Sequence, residues 1–298
     1  MALGFGVGRR WFSLWLLGGF VCFLIFLALA AAWPHFELGD VLDRYGSYIG
    51  ALSQADLGRT DRGEPVGQLI LRTFFKSFGV LALAVGLAGL IGVAIGLVAN
   101  ARSSRPNEAW PVAISVVLLS APSFLIGGLL QSADVEIAIR TGVLPLPTTG
   151  FGWDRHLVMP VLVLAAKPTA YVARVTSQVL QDTLRQGHIK TAYAKGLPAR
   201  AVLLKHGLWT SGASVLAALA LAMRLSVGML PIVEMVFVYP GIGFVFLSAI
   251  RAQDVVAASG LAMTLALSLW VLNAALEAAR RWLDPRLGVP TALGDRML

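Results

Sequence analysis

Four ionisable residues stand inside otherwise apolar stretches: Lys167 and Arg174 in VLVLAAKPTAYVARVTSQVL, Arg224 in LALAMRLSVGML and Glu234 in PIVEMVFVYPG. A charge near a bilayer centre costs about 2.5–3.5 kcal/mol on insertion scales, so such groups must face protein or a wet cavity. Lys167 and Arg174 are two helical turns apart and project from one helix face. With Arg224 they can line a pathway and attract a carboxylate, such as a peptide C-terminus. The other reading has Arg174 snorkelling to the interface, or bonding a carbonyl or a neighbouring chain's acid. For Arg174 the second reading is preferred; for Lys167, beside Pro168 with its freed carbonyl, both stay open. Glu234 can neutralise a cargo amine or pair with Arg251, and the pair is the preferred expectation.

Reaction chemistry is harder to find. His35, His156, His188 and His206 lack metal-ligand spacing. No Gly-x-x-x-x-Gly-Lys-Ser/Thr loop is present to cradle phosphates, and no Ser/His/Asp constellation can be argued. No catalytic, metal-binding or cofactor-binding residue is assigned.

The elements that must position these charges are membrane helices. A chain of 298 residues that is 57% hydrophobic and 13% charged, with mean hydropathy +0.76, is far from the balance of a soluble domain. A spanning helix needs about 20 mostly apolar residues. Six stretches qualify, at 11–33, 74–99, 110–131, 157–180, 213–233 and 255–277. The expected fold is an all-α membrane protein, one domain over 1–298, with an outer segment 34–73 and a core 74–283. The apolar run of the first span exceeds the ~7–15 residues of a cleaved signal, which makes it a retained anchor. Lys and Arg concentrate in the loops on the side of the N-terminus, among them Arg9, Arg10, Arg102, Arg105, Arg185, Lys190, Lys195, Arg200, Lys205, Arg280 and Arg281. Both termini are thereby expected in the cytoplasm. The net charge of +8 is dispersed over short loops and does not call for nucleic acid. The single Cys22 lies in the first span and says nothing about redox compartment.

Between the spans, the Gly, Asp and Pro residues of 34–73 argue for short pieces on the outer face, and Pro145, Pro147, Gly150 and Gly152 make 132–156 turn-rich. Gly92 and Gly96 have the small-xxx-small spacing of close helix packing, expected within the chain rather than at a dimer seam. The stretch 236–254 is apolar but too short to span after its elbow, Tyr239, Pro240 and Gly241. It is expected to be a turn and a short helix re-entering along the outer mouth of a pathway.

The loop 181–212 contains IKTAYAKGLPARAVLLKHGL. Gly196 suits the C′ position of a helix ending at Lys195, and Pro198 the first turn of the next, which predicts a cytoplasmic helix-turn-helix. Ile189, Ala192 and Tyr193, then Val202, Leu203 and Trp209, form apolar strips, and Thr191, Ala192 and Ala194 are small enough for close approach. Such a strip can lie in a partner's groove or rest on anionic lipid. Both readings stay open on the residues alone.

TAYAKGLPARAVLLKHGL resembles the EAA coupling loop of binding-protein-dependent ABC importer permeases, of the dipeptide, oligopeptide and nickel class. DLGRT at 56–60, APSFLIG at 121–127, GVLPLPTTG at 142–150, HLVMPVLVLA at 156–165, EMVFVYPGIG at 234–243 and LDPRL at 283–287 are similar to further family segments in the same order. His188, Gln186, Gly187 and Tyr193 depart from the loop's usual residues. The resemblance implies an importer half-pore in the cell membrane that hydrolyses nothing itself. Lys190, Thr191, Ala192, Ala194, Lys195, Gly196 and Leu197 would couple it to two ATP-binding subunits, which carry ATP and Mg. A second, homologous permease and an extracytoplasmic substrate-binding protein would complete the assembly in the lipid bilayer. Its mechanism would be alternating access. The rivals are an exporter of the same fold, for example of polyamines, and an intramembrane lipid enzyme, for which the acidic or His clusters are missing.

Overall fold

The structure is a computed structural model and describes residues 46, 50–51, 56–101 and 109–283. The first span 11–33 with Cys22, most of 34–55, and the part of LDPRL after Leu283 lie outside the described residues. Helices are numbered from the first one that is fully described. They are α1 (Val66–Ala101), α2 (Ala109–Ser120), α3 (Ser123–Thr141), α4 (Val158–Leu184), α5 (Gly187–Ala194), α6 (Ala199–Ala201), α7 (Gly212–Val236), α8 (Ile242–Ala252) and α9 (Val255–Leu283). A 3-10 turn, Arg155–Leu157, leads into α4, and α6 runs on into a π-helical stretch, Val202–Leu208. Apart from an antiparallel bridge between Arg59 and Pro65, the described residues are helices and their connections.

Among the described residues four helical stretches are long and apolar enough to cross a membrane: Val66–Asn100, Arg155–Leu184, Gly212–Val236 and Val255–Ala275. The first begins earlier than the expected 74. Pro65 stands just before it, where a missing N–H costs nothing, and the Val66 amide donates to the Gly58 carbonyl at 3.0 Å. At ~1.5 Å per residue its length of roughly 50 Å exceeds the ~30 Å hydrocarbon layer. The overhang carries Arg72, ion-paired with Glu64 at 3.2 Å.

One expected span is corrected. The stretch 110–131 is not a single helix: α2 ends at Ser120, and α3 starts at Ser123. Between them Pro122 is extended, with φ −61° and ψ 137°. Proline has no amide to continue the ladder and pushes the preceding residue, Ala121, out of helical conformation. The resulting α3 runs on to Thr141, well past the expected end, and Gly142 caps it in the left-handed region with φ 74°.

The core is a three-helix contact. Val80, Leu81, Ala84 and Ala88 of α1 meet Met159, Val163 and Leu164 of α4, and Val227, Leu230 and Val233 of α7, all buried. Helices α1 and α4 run parallel and touch along their length. The reason is Gly92 and Gly96: a Cβ on the first would lie 2.8 Å from Val172 and one on the second 2.7 Å from Thr176. The glycine pair therefore serves packing inside this chain, as the spacing suggests. Asn100 closes the seam, its Nδ2 donating to the Gly96 carbonyl at 2.8 Å and to Ser177 Oγ at 3.2 Å. Helix α7 returns antiparallel, and the Thr183 and Ser211 hydroxyls, 3.0 Å apart and buried, join its start to the end of α4.

Candidate functional site

The bundle has two ends. At one, the chain between α5 and α6 forms a bent elbow. Gly196 has φ 77°, and its amide donates to the Tyr193 carbonyl at 2.9 Å, while the Leu197 amide reaches the Ala192 carbonyl at 3.4 Å. That pair of bonds is a Schellman closure, which needs a left-handed C′ residue that glycine adopts without penalty. Pro198 is the N-cap of α6, with ψ 146°, rather than a residue of its first turn.

The elbow's apolar strips are not all free. Ile189, Ala192 and Val202 bury one another against Leu184, and Leu203 is buried as well. In the π-helix, i→i+5 bonding places Val202 over Gly207, both buried. The elbow is thus welded to the end of α4. What it presents outward is Lys190, Thr191, Tyr193, Ala194, Lys195, Gly196 and Leu197, all exposed, with Trp209 85% exposed beyond them. Of the expected coupling residues only Ala192 lies inside.

At the other end Glu234 is 2% exposed. It does not pair with Arg251, whose guanidinium is exposed and lies 3.5 Å from Met235 Sδ. Instead its carboxylate accepts from Ser77 Oγ at 2.5 Å and from the Phe244 amide at 2.8 Å. Ser77 Oγ in turn accepts from the Ile242 amide at 2.7 Å. Glu234 and Ser77 together therefore cap the N-terminus of α8, whose first amides have no partner within the helix. Gly241 is the residue that makes room, because a Cβ there would collide with the Glu234 carboxylate and Ser77 Oγ.

The elbow residues Tyr239, Pro240 and Gly241 follow Val238, a β-branched residue at φ 49°. Such a backbone costs on the order of 1–3 kcal/mol and persists only when its surroundings hold it. They do: the Tyr239 amide bonds the Glu234 carbonyl at 2.7 Å, and its hydroxyl donates to the Lys76 carbonyl at 3.0 Å. The ring stands edge-on to Phe151 at 5.2 Å, over which Lys76 Nζ sits at 4.5 Å. The loop 142–157 is tied to the same place by the Gly150 amide on the Phe237 carbonyl at 2.9 Å. Beside it the His156 amide and ring Nδ1 both reach Asp154 Oδ1, holding that exposed carboxyl below the usual range. Asp254 caps α9 through the Ala257 amide at 2.9 Å and also accepts from the Asp61 amide at 3.0 Å.

The intramembrane cations separate. Arg224, exposed on α7, donates to Asn273 Oδ1 of α9. Lys167 and Arg174 are half-buried on α4, and among the described residues neither forms an ion pair. Glu234 lies with Ser77 and α8, apart from them. Sequence reasoning missed Ser77, Asn100, Thr183, Ser211 and Asp254. Each is a short polar side chain whose signal is only that it interrupts an apolar run or precedes a helix.

A bundle of long apolar helices, with a fixed elbow at one end and a capped short helix at the other, defines an integral membrane protein. Residues 92–289 match the family described as binding-protein-dependent transport system inner membrane component, and the chain belongs to that family. It is 30% identical over 269 residues to the oligopeptide transport system permease protein OppB of Mycobacterium tuberculosis, covering 84% of this chain and 81% of that one. The OppB protein of Mycobacterium bovis matches to the same extent. Among solved structures it is similar to the MetNI methionine ABC transporter in inward-facing conformations, with TM-score 0.59 and 14% identity over 72% of this chain and 96% of that one. The last likeness concerns the fold. The resemblance read from the coupling-loop residues is borne out, and the chain is a multi-pass component of the cell membrane.

Proposed function

We propose that this chain is one of two permease subunits of an ATP-driven importer for peptides or similar small solutes. It crosses the membrane six times with both termini in the cytoplasm, as a single domain. The bundle end carrying α5 and α6 faces the cytoplasm and seats against an ATP-binding subunit through Lys190, Thr191, Ala194, Lys195, Gly196 and Leu197, with Ala192 supporting them from inside. A second ATP-binding subunit engages the homologous partner permease, and a substrate-binding protein docks at the end carrying α8. The chain itself hydrolyses nothing. Lys167 and Arg174 serve the pathway side, while Arg224 is held on α9 and Glu234 with Tyr239, Pro240 and Gly241 fixes the outer elbow.

The observation that supports this reading best is the division of labour within the elbow. Its apolar side, Ile189, Ala192 and Val202, is locked to α4, and its small and basic side is left outward. A lever needs one face rigidly attached and one face free to be gripped, and lipid contact alone does not require the first. ATP-driven closure then shifts the bundle between two access states that bind cargo and nucleotide differently. The test is a cysteine at Ala194 in the assembled transporter, cross-linked with a short thiol–amine reagent. A product with an ATP-binding subunit, its yield changed by ATP, is expected. Attachment to lipid alone under both conditions would sink the proposal.

A further inference from the structure

The polar residues of α4 are arranged more strictly than the Lys167 and Arg174 pair reveals. Lys167, Tyr171, Arg174 and Gln178, with Arg185 just past the helix end, are separated by four, three, four and seven residues. At ~100° per residue they fall within about 60° of one another around the helix. The opposite side is the packed one, with Pro168, Val172, Thr176, Leu180 and Thr183 buried. Lys167, Tyr171 and Arg174 are half-buried, and Gln178 and Arg185 exposed. From Lys167 onward α4 thus carries a polar stripe turned away from α1 and α7, while nearer its start the same side is apolar and buried at Pro160, Val163 and Leu164.

Within the described residues the stripe's cations, Lys167, Arg174 and Arg185, form no ion pair, and the one acid of α4, Asp182, is exposed near its end, three residues before Arg185. The buried acids are already committed to backbone amides: Glu234 to Phe244, Asp134 to Leu146, and Asp254 to Ala257 and Asp61. Arg224 is held on α9 by Asn273 and stands apart from the stripe. A row of cations facing lipid would be costly, so the stripe faces protein or water.

We propose that this face of α4 is the wet wall of the conduit and that its positive field selects cargo bearing a carboxylate. Tyr171 and Gln178 are contact residues alongside Lys167 and Arg174. The inference rests on the permease reading above and gives it a cargo charge. Lys167 and Arg174 attract the carboxylate at close range. Tyr171 between them offers a hydroxyl donor, and Gln178 and Arg185 continue the track toward the elbow.

The test uses the assembled transporter in native membranes, in a Cys22→Ser background, with single cysteines at Tyr171 and Gln178 and at the buried Val172. The probes are two water-soluble methanethiosulfonates, one ending in a sulfonate and one in a trimethylammonium. The expected result is modification at 171 and 178 but not at 172, with the sulfonate probe faster at 171. That preference falls about tenfold when Lys167 and Arg174 are both changed to Gln. Comparing the two probes removes any effect of the cations on thiol reactivity itself. Protection of the 171 thiol by trialanine but not by its C-terminal amide names a peptide carboxylate, and protection by succinate names a free organic acid; either supports the proposal. Absence of modification at 171 and 178, or a probe preference untouched by the double substitution, overturns it. Neither result depends on ATP, so failure here is distinct from failure of the elbow to meet an ATP-binding subunit.

Discussion

Glu234 shows how a single buried carboxylate can organise a whole end of the molecule. Its two oxygens are satisfied by a hydroxyl from α1 and an amide from α8, and the same hydroxyl accepts a second amide of α8. Removing that hydroxyl leaves a buried acceptor and a helix N-terminus short of partners, at about 1–3 kcal/mol for the lost satisfaction. Ser77→Ala is therefore expected to lower the thermal midpoint of the purified subunit complex by several degrees, and Gly241→Ala to lower it more, because its Cβ collides with the carboxylate. An unchanged midpoint in both variants would refute the capping role. This arrangement was only half legible in the sequence. The Tyr-Pro-Gly elbow could be read, since those residues break helices wherever they stand. Ser77 could not, because one serine in a long apolar helix has no local pattern, and its partner lies 157 positions away. Arg251 looked like the natural partner on charge alone, yet the amides of α8 reach the carboxylate at no cost in side-chain entropy, whereas a flexible guanidinium must be ordered and dried first.

Elements are specified by shorter-range rules, and these were more readable. Gly196 announces a helix end because a left-handed residue is needed there, and the Schellman bonds from Gly196 and Leu197 form at that position. Gly196→Val should strain the turn by about 1 kcal/mol or more, given its φ of 77°. The expected outcome is a complex that still assembles but whose cargo-stimulated ATP hydrolysis drops several-fold, measured in proteoliposomes; full stimulation would show that elbow geometry is immaterial. Helix contact follows the same logic. Gly96→Leu would place a side chain where Thr176 already sits, prying α1 from α4 and breaking the Asn100 closure. Loss of folded protein from the membrane fraction is expected, with Gly96→Ala less severe. What periodicity could not deliver was the break in 110–131. Apolar content there is continuous across Pro122, and hydropathy averages over a window in which a single missing amide counts for nothing.

At the scale of the whole molecule the described helices are fastened at both ends. Asn100 with Ser177 and Thr183 with Ser211 bind α1, α4 and α7 beside the elbow; Ser77 with Glu234, and Tyr239 with the Lys76 carbonyl, bind α1 to the end of α7 at the other. In the proposed lever, a push on the elbow would be passed along α4, since its apolar face is packed on both neighbours and close-packed interiors transmit displacement. For that motion to be driven by ATP the elbow must lie on the cytoplasmic side. Charge supports this arrangement, as Arg185, Lys190, Lys195, Arg200 and Lys205 all fall between α4 and α7. The loop 142–157 sits at the opposite end of α4 and must then face outward. Single cysteines at Thr149, exposed in that loop, and at Lys195, exposed on the elbow, separate the two faces. In intact cells a membrane-impermeant maleimide is expected to label the 149 position and spare 195, and inverted vesicles should reverse the pattern. Labelling of 195 from outside would put the elbow beyond the reach of any cytoplasmic motor, and the bundle would then have to be turned over and its drive sought elsewhere.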